Sequence, residues 1–410
     1  MSDAAFTAYA DALKIYYTGQ KIMDLTNKSN PLLALSKRKT IKGQSMPLPV
    51  IGAYGQGVSA DFATAKTNGT NIQPYKFNLV TDDLYQVIEI DRKTWKASQG
   101  DNAAFLDYMK GQIDGGLQQV GNALGAYVFG SGTGVVAESN GMSTGVITLL
   151  DPSTVTFFEV GQVLQATTTN DSNSLTNVRS ALGYVVAVDY GAATVTVSAS
   201  AGGSPGNPAS WSTGAAGDYL ALDGTLNACS PGLAGWIPLT APASNDSFLG
   251  VNRSVNPSRL AGSRTDQSAS ANLEEAWLNA SGVLAIMGQT PDFAVCSIPT
   301  FVALQKTLQG RVVFDVEIGG IKFNALTIPG VNGSMKLLAD RNCPQGSSWM
   351  GDSEHLALYS ISGAPEIQED GFGKLLRLAD SDAYQVVVSG YYCFGIDKPV
   401  AFCAIKMPTV

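Results

Sequence analysis

Apolar residues recur at steps of three and four from Leu106 through Met109, Ile113, Leu117, Val120, Leu124 and Tyr127, a continuous stripe that predicts a long amphipathic helix. Asp101 is placed to cap it and Gly130 to end it. At 1.5 Å per residue such a helix runs roughly 40 Å, long for a globular protein. Gly115, Gly116, Gly121 and Gly125 inside it each cost about 1 kcal/mol relative to alanine, so a neighbouring element is expected to approach its backbone closely. A shorter stripe of Phe6, Tyr9, Ala10, Leu13, Tyr16 and Tyr17 predicts a helix in residues 1–30 that stops near Gly19.

Elsewhere the period changes. LYQVIEI, residues 84–90, alternates as a strand does. From Gly134 to Ser230 short alternating runs (VITLL, VTFFEVGQVLQATT, ALGYVVAVDY, ATVTVSAS, DYLALD) are parted by Gly, Asn, Ser and Pro, and predict a small all-β barrel or sandwich. After Phe248 the texture is mixed. LEEAWLNASGVLAIMG and PTFVALQKTL predict helices, PDFAVCSI a buried strand, and VFDVEIGGIKFNALTI a hairpin turning at Gly319-Gly320. The C-terminal AYQVVVSGYYCFGIDKPVAFCAIKM predicts paired strands turning near Asp397-Lys398. Together these give an α+β fold with an inserted small all-β domain. Residues 33–80 fit neither period. They are rich in Gly, Pro and Ala and hold too few large apolar residues to fold alone, so something outside their own domain is expected to order them.

Composition narrows the function classes. With 45% hydrophobic and only 15% charged residues, the chain has an under-charged surface, as expected where partners cover it. A net charge of -8 argues against an electrostatic clamp on nucleic acid. The basic residues are uneven, and Arg179 is the only one between Gly141 and Gly250. The five cysteines, Cys229, Cys296, Cys343, Cys393 and Cys403, form no metal-binding spacing and read as buried apolar residues of a reducing compartment. Residues 1–20 lack the basic and apolar regions of a signal peptide, and no apolar run is long enough to span a membrane.

Candidate chemistry is sparse. Gly141-Met-Ser143-Thr-Gly145 matches a nucleophile elbow formally, with His355, the sole histidine, downstream, but strand follows the serine where a helix is needed. Gly130-Ser-Gly132-Thr-Gly134-Val135 ends a helix rather than opening one, unlike a dinucleotide fingerprint. Asp171-Ser-Asn173-Ser-Leu175 lacks the glycine and closing glutamate of a calcium loop. The adjacent acidic pairs Asp82-Asp83, Glu274-Glu275 and Glu369-Asp370 point apart on any regular element. No catalytic, cofactor-binding or metal-binding residue is assigned. Lys37, Arg38, Lys39 and Lys42, with Tyr54 and Phe62, are candidate contacts to a neighbouring subunit, the basic run pairing with that subunit's acids. In PGLAGWIP, residues 231–238, Trp236 and Ile237 are candidate anchors of a junction between domains, since their burial is worth several kcal/mol by area.

The succession of parts resembles the major capsid protein of tailed bacteriophages. NPLLALSKRKTIKGQSMPLPVIGAYGQG looks like the N-arm and extended E-loop of that family, and DNAAFLDYMKGQIDGGLQQVGNALGAYVFG like the spine helix of its peripheral (P) domain. The second half, from FLGVNRSVNPSRLAG onward, looks like the axial (A) domain with a return to the P domain. The resemblance implies an N-arm at 1–32, an E-loop at 33–82, a P domain at 83–133, the inserted β domain at 134–230, a junction at 231–256, an A domain at 257–375 and return strands at 376–410. It further implies a non-enzymatic structural subunit that forms hexamers and pentamers of an icosahedral head around double-stranded DNA. A separate scaffolding protein, a portal and a decoration or cement protein would be its partners, and it would be assembled in the host cytoplasm and reside in the virion. The shell of a cellular nanocompartment is the alternative within the same fold. Some relatives join a lysine to a neighbour's asparagine; Lys66 and Lys76 lie in the corresponding region, with no motif to fix an acceptor.

Overall fold

The computed structural model describes residues 30–92, 102–170, 177–213, 217–270, 272–308, 314–318, 321–361, 365–369, 376–377 and 382–408. The expected helix in residues 1–30, the Asp101 cap, the Asp171–Leu175 loop, the Gly319-Gly320 turn and Asp370 lie outside them.

The stripe from Leu106 to Tyr127 forms a helix at Asn102–Phe129. From Ile113 onward its apolar face is buried against a six-stranded sheet, whose long central strand, Ala383–Ile396, pairs antiparallel with Asp82–Asp91 and with Leu356–Ser360. Two of the helix glycines have a steric reason. A Cβ on Gly116 would run into Ile88, and one on Gly125 into Asn30 and Asn342. Gly115 faces open space, so close approach does not account for it. Around Gly121 and Gly125 a buried polar clamp brings in the start of the described chain. Asn30 donates to the Gly121 carbonyl (2.8 Å), Asn342 donates to Asn30 Oδ1 (2.7 Å), and the buried Asp340 accepts from the backbone N–H groups of Leu32 and Asn342.

A second, seven-stranded sheet runs in the order Ser263–Asp266, Cys403–Lys406, Ser347–Gly351, Phe293–Cys296, Gly333–Ala339, Ile321–Gly330, Phe314–Ile318. The helices Leu273–Ile286 and Ile298–Thr307 pack on it around Trp277, whose indole N–H donates to Ser348 Oγ at 2.9 Å. The two C-terminal strands do not pair with each other. Ala383–Ile396 belongs to the six-stranded sheet and Cys403–Lys406 to the seven-stranded one, because the turn Pro399–Ala401 hands the chain from one to the other. Both strands are buried on both faces over most of that length, so alternation could not reveal which sheet each joins.

Between Val135 and Leu222 six strands close into a barrel with its own core of Phe158, Leu164, Val195, Val197 and Leu220. VTFFEV, expected as strand, opens instead as a three-ten helix at Pro152–Phe157. Pro152 takes the first turn and the Asp151 carboxylate accepts from Ser153 N–H at 2.9 Å, a local cap that outcompetes the β pattern.

Residues 45–80 make a two-stranded ribbon, Ser45–Ala53 against Gln73–Val80. Its root is better anchored than composition suggests. Leu48, Val50, Phe77 and Leu79 are buried in the main core, as are Leu32, Leu33 and Ile41 before it, and Lys37–Thr40 joins the six-stranded sheet parallel to Leu356–Ser360. The tip, residues 54–72, holds no buried residue; there a one-and-a-half-turn helix, Phe62–Thr67, is capped by Asp61.

Candidate functional site

Two features stand out around the ribbon: the apolar tip and the packed root. At the tip Val58 is 104% exposed and Phe62 82%, with Tyr54 and Ile72, and Ile51 on the strand leading to it, about half exposed. Large apolar side chains gathered on a thin arm make it a candidate interaction surface, since a two-stranded ribbon has no interior of its own to bury them. Tyr54 is partly engaged within its own chain, the Arg259 guanidinium stacking 4.2 Å from its ring centre.

At the root Trp236, on the short helix Leu233–Trp236, is fully buried. Its indole N–H donates to the Phe394 carbonyl of the long strand at 3.0 Å, and its ring meets Phe77 of the ribbon at 5.1 Å and Phe248 at 5.2 Å. Ile237 is equally buried, and its carbonyl accepts from the Trp349 indole at 3.0 Å, which ties in the seven-stranded sheet. One short segment therefore touches the ribbon, both sheets and the loop that follows. Arg253, missed at the sequence level, completes the cluster. It forms a buried two-point ion pair with Asp246 (2.6 and 3.2 Å), donates to the carbonyls of Gly235 and Trp236, and stacks 4.0 Å from the Phe248 ring. Nothing in the sequence singles Arg253 out, since it lies just past the basic-poor stretch and Arg259 and Arg264 follow it closely.

The basic run sits apart from the tip, on the strand Lys37–Thr40. Lys39 Nζ lies 3.7 Å from Asp397 of the same chain and over the Tyr359 ring, so at least one member of the run has an acidic partner at home. Burial pulls the Arg38 guanidinium below its usual value, while Lys37 and Lys42 are exposed.

The formal nucleophile elbow is a hairpin. Ser143 and Val146 pair across a two-residue turn in which Thr144 (φ 52°) and Gly145 (φ 78°) are both left-handed, the backbone of a type I′ turn. A Cβ on Gly145 would meet the backbone of Val197 and Gly206, which is why glycine stands there. His355 follows the strand Ser347–Gly351 and sits 2.7 Å from Asp397. A crevice of about 340 Å³ between barrel and long helix is lined by Phe129, Glu138, Asp151, Tyr219 and Arg341. Asp151 is occupied there, accepting from the Gln345 backbone at 2.9 Å as well as capping its own turn. Among the described residues no three His, Cys, Asp or Glu side chains are grouped to share a metal ion, and no helix is long and apolar enough to cross a membrane.

The long helix laid on a sheet, the extended ribbon and the second sheet with its two helices give the chain the α+β fold of phage capsid proteins. In particular it is similar to the cyanophage A-1(L) capsid asymmetric unit, with 11% identity, 93% of each chain covered and a TM-score of 0.56. Weaker likenesses, both with TM-scores of 0.45, are to the SrpI encapsulin complex of Synechococcus elongatus PCC 7942 (9% identity, 92% of this chain and 86% of that one) and to the capsid of a native GTA particle (9% identity, 94% and 91%). The fold assignment rests on the first. No protein-family model matches the sequence, and no curated protein matches it.

Proposed function

We propose that this chain is the structural subunit of a phage head, assembling as hexamers and pentamers into an icosahedral shell around double-stranded DNA. The observation that carries the reading is the ribbon tip, an arm of the capsid fold that holds Val58 and Phe62 out in solvent. Burying large apolar side chains against a neighbour gives each about 1.5–3 kcal/mol, and a closed shell repeats that gain at every subunit. On this reading the ribbon is the E-loop, Asn102–Phe129 the spine of the P domain, the seven-stranded sheet with its helices the A domain, and the barrel an insertion between them. The net charge of -8 suits a wall that lets packaged DNA slide, and catalysis has no part in the role.

The test is the double variant Val58→Asp/Phe62→Asp. These side chains are the most exposed large apolar groups of the ribbon, so the subunit should keep its circular dichroism and melting point while losing the fast-sedimenting particles that the wild type forms. Particles at wild-type yield from the double variant would refute the role given to the tip.

A further inference from the structure

We infer that residues 247–259 form a saddle that fixes the direction in which the ribbon leaves the body, and that Asn256 and Arg259 are positioning residues which thereby set the curvature of the assembled shell. The second clause rests on the shell reading above. The first rests on contacts within one chain.

The saddle begins with a miniature hairpin, Ser247–Phe248 against Val251–Asn252. Its two turn residues are left-handed, Leu249 at φ 49° and Gly250 at φ 84°. For glycine this is free, but for leucine it is a strained conformation that persists only where the surroundings impose it. What the turn accomplishes is a grip on one ribbon strand, since the Leu249 carbonyl accepts from the backbone N–H of Asn78 at 3.0 Å. The other strand is held further along. Gly52 is the extra residue of a bulge and has no partner in the ribbon ladder, and its carbonyl accepts from Asn256 Nδ2 at 2.7 Å. Glycine is required at that bulge because a Cβ would run into the Tyr75 ring. Toward the tip, Arg259 covers Tyr54, and the helix that carries it, Pro257–Leu260, packs on the same strand.

The saddle is itself fixed to the body. The Arg253–Asp246 ion pair and the Arg253 bonds to Gly235 and Trp236 hold its middle, Phe248 meets Trp236 edge to face, and Leu260 is fully buried. Three holds therefore refer the ribbon to the Trp236 cluster, and two of them, from Asn256 and Arg259, act where the ribbon has left the core. With strands rising about 3.3 Å per residue, the tip stands on the order of 30 Å from the root, so a swing of about 10° displaces it by about 5 Å. That is enough to move a docked apolar side chain out of its pocket.

Asn256 makes no cap hydrogen bond to the helix that follows it, so removing its amide takes away the Gly52 contact alone. The variants are Asn256→Ala/Arg259→Ala and, as the conservative control, Arg259→Lys, which keeps a cation over Tyr54. Hydrogen exchange of the ribbon strands is measured on the subunit, and the diameter distribution of particles by electron microscopy. The double alanine variant is expected to exchange about fivefold faster or more in the ribbon at an unchanged melting point, and to give particles of altered or mixed diameter, while Arg259→Lys gives the wild-type diameter. Ribbon exchange at the wild-type rate would overturn the saddle. Faster exchange with wild-type diameters would overturn its role in curvature. A wild-type chain that forms no particles would remove the shell reading and the curvature clause together, and leave the grip on the ribbon to be decided by exchange alone.

Discussion

Replacing Trp236 tests how the body is held together. The indole is fully buried, packs on Phe77 and Phe248, and donates to the Phe394 carbonyl. Trp236→Ala should cost about 3–5 kcal/mol, a large part of the about 5–15 kcal/mol that separates a folded domain from its unfolded chain, and the variant is liable not to fold. Trp236→Phe is the informative change. It keeps an aromatic ring against Phe77 and Phe248 but removes the N–H, worth about 1 kcal/mol, and leaves space worth about 1 kcal/mol more. A loss of about 2 kcal/mol lowers the melting point of a unit this size by roughly 3–6 °C. Differential scanning calorimetry adds a sharper criterion, because the barrel core of Phe158, Leu164, Val195, Val197 and Leu220 is separate from the Trp236 cluster. The body transition should fall and the barrel transition should stay. If both move together, or neither moves, the placement of Trp236 as the tie between ribbon and sheets is wrong.

Two further outcomes are expected. Burial raises the pKa of Asp340 to about 6, against the opposing pull of the Asn342 and Leu32 N–H groups and Arg341. The folded state therefore holds its proton more tightly than the unfolded one, and stability present below about pH 4 is lost as pH rises through about 6, by about 3 kcal/mol in all. Urea titrations between pH 4 and 7 should show that decline, and Asp340→Asn should flatten most of it while lowering stability throughout, since one of two buried N–H groups loses its acceptor; an unchanged slope in the variant would contradict this. Asp82, also raised to about 6 by burial and by Asp83, acts in the same direction but is only half-buried, so its share is smaller. At the barrel hairpin, Gly145→Ala should destabilise the barrel by about 1–3 kcal/mol through its left-handed backbone, whereas Ser143→Ala should change neither stability nor labelling by a fluorophosphonate probe. Ser143-dependent labelling would restore the hydrolase reading.

The sequence was most legible where one physical pattern dominated. The seven apolar positions from Leu106 to Tyr127 defined the long helix because nothing interrupts their period, and the strand expected after Ser143 argued against a nucleophile elbow there, although the type I′ turn itself was not foreseen. It was misread where a local device overrode the pattern, as Asp151 and Pro152 do in turning VTFFEV into a three-ten helix. The C-terminal strands were misassigned for a different reason: both are apolar on two faces, and neither carries a mark of which sheet receives it. Residues 33–80 looked anchorless because Leu48, Val50, Phe77 and Leu79 are few, yet all four point the same way and enter the core of the body. Of the candidate site residues, Trp236 and Ile237 were visible as large apolar groups between glycines and prolines. Arg253, Asn256 and Arg259 were not, because their partners Asp246, Gly52 and Tyr54 lie on other segments and are fixed only by the fold.

Whether this chain builds a closed shell is decided by electron microscopy of the purified wild-type protein at concentrations and salt conditions that favour association. Hollow particles of narrow diameter, whose walls show rings of five and six subunits, are expected. Dispersed monomers or small oligomers under every condition, including co-expression with neighbouring genes, would contradict the shell reading.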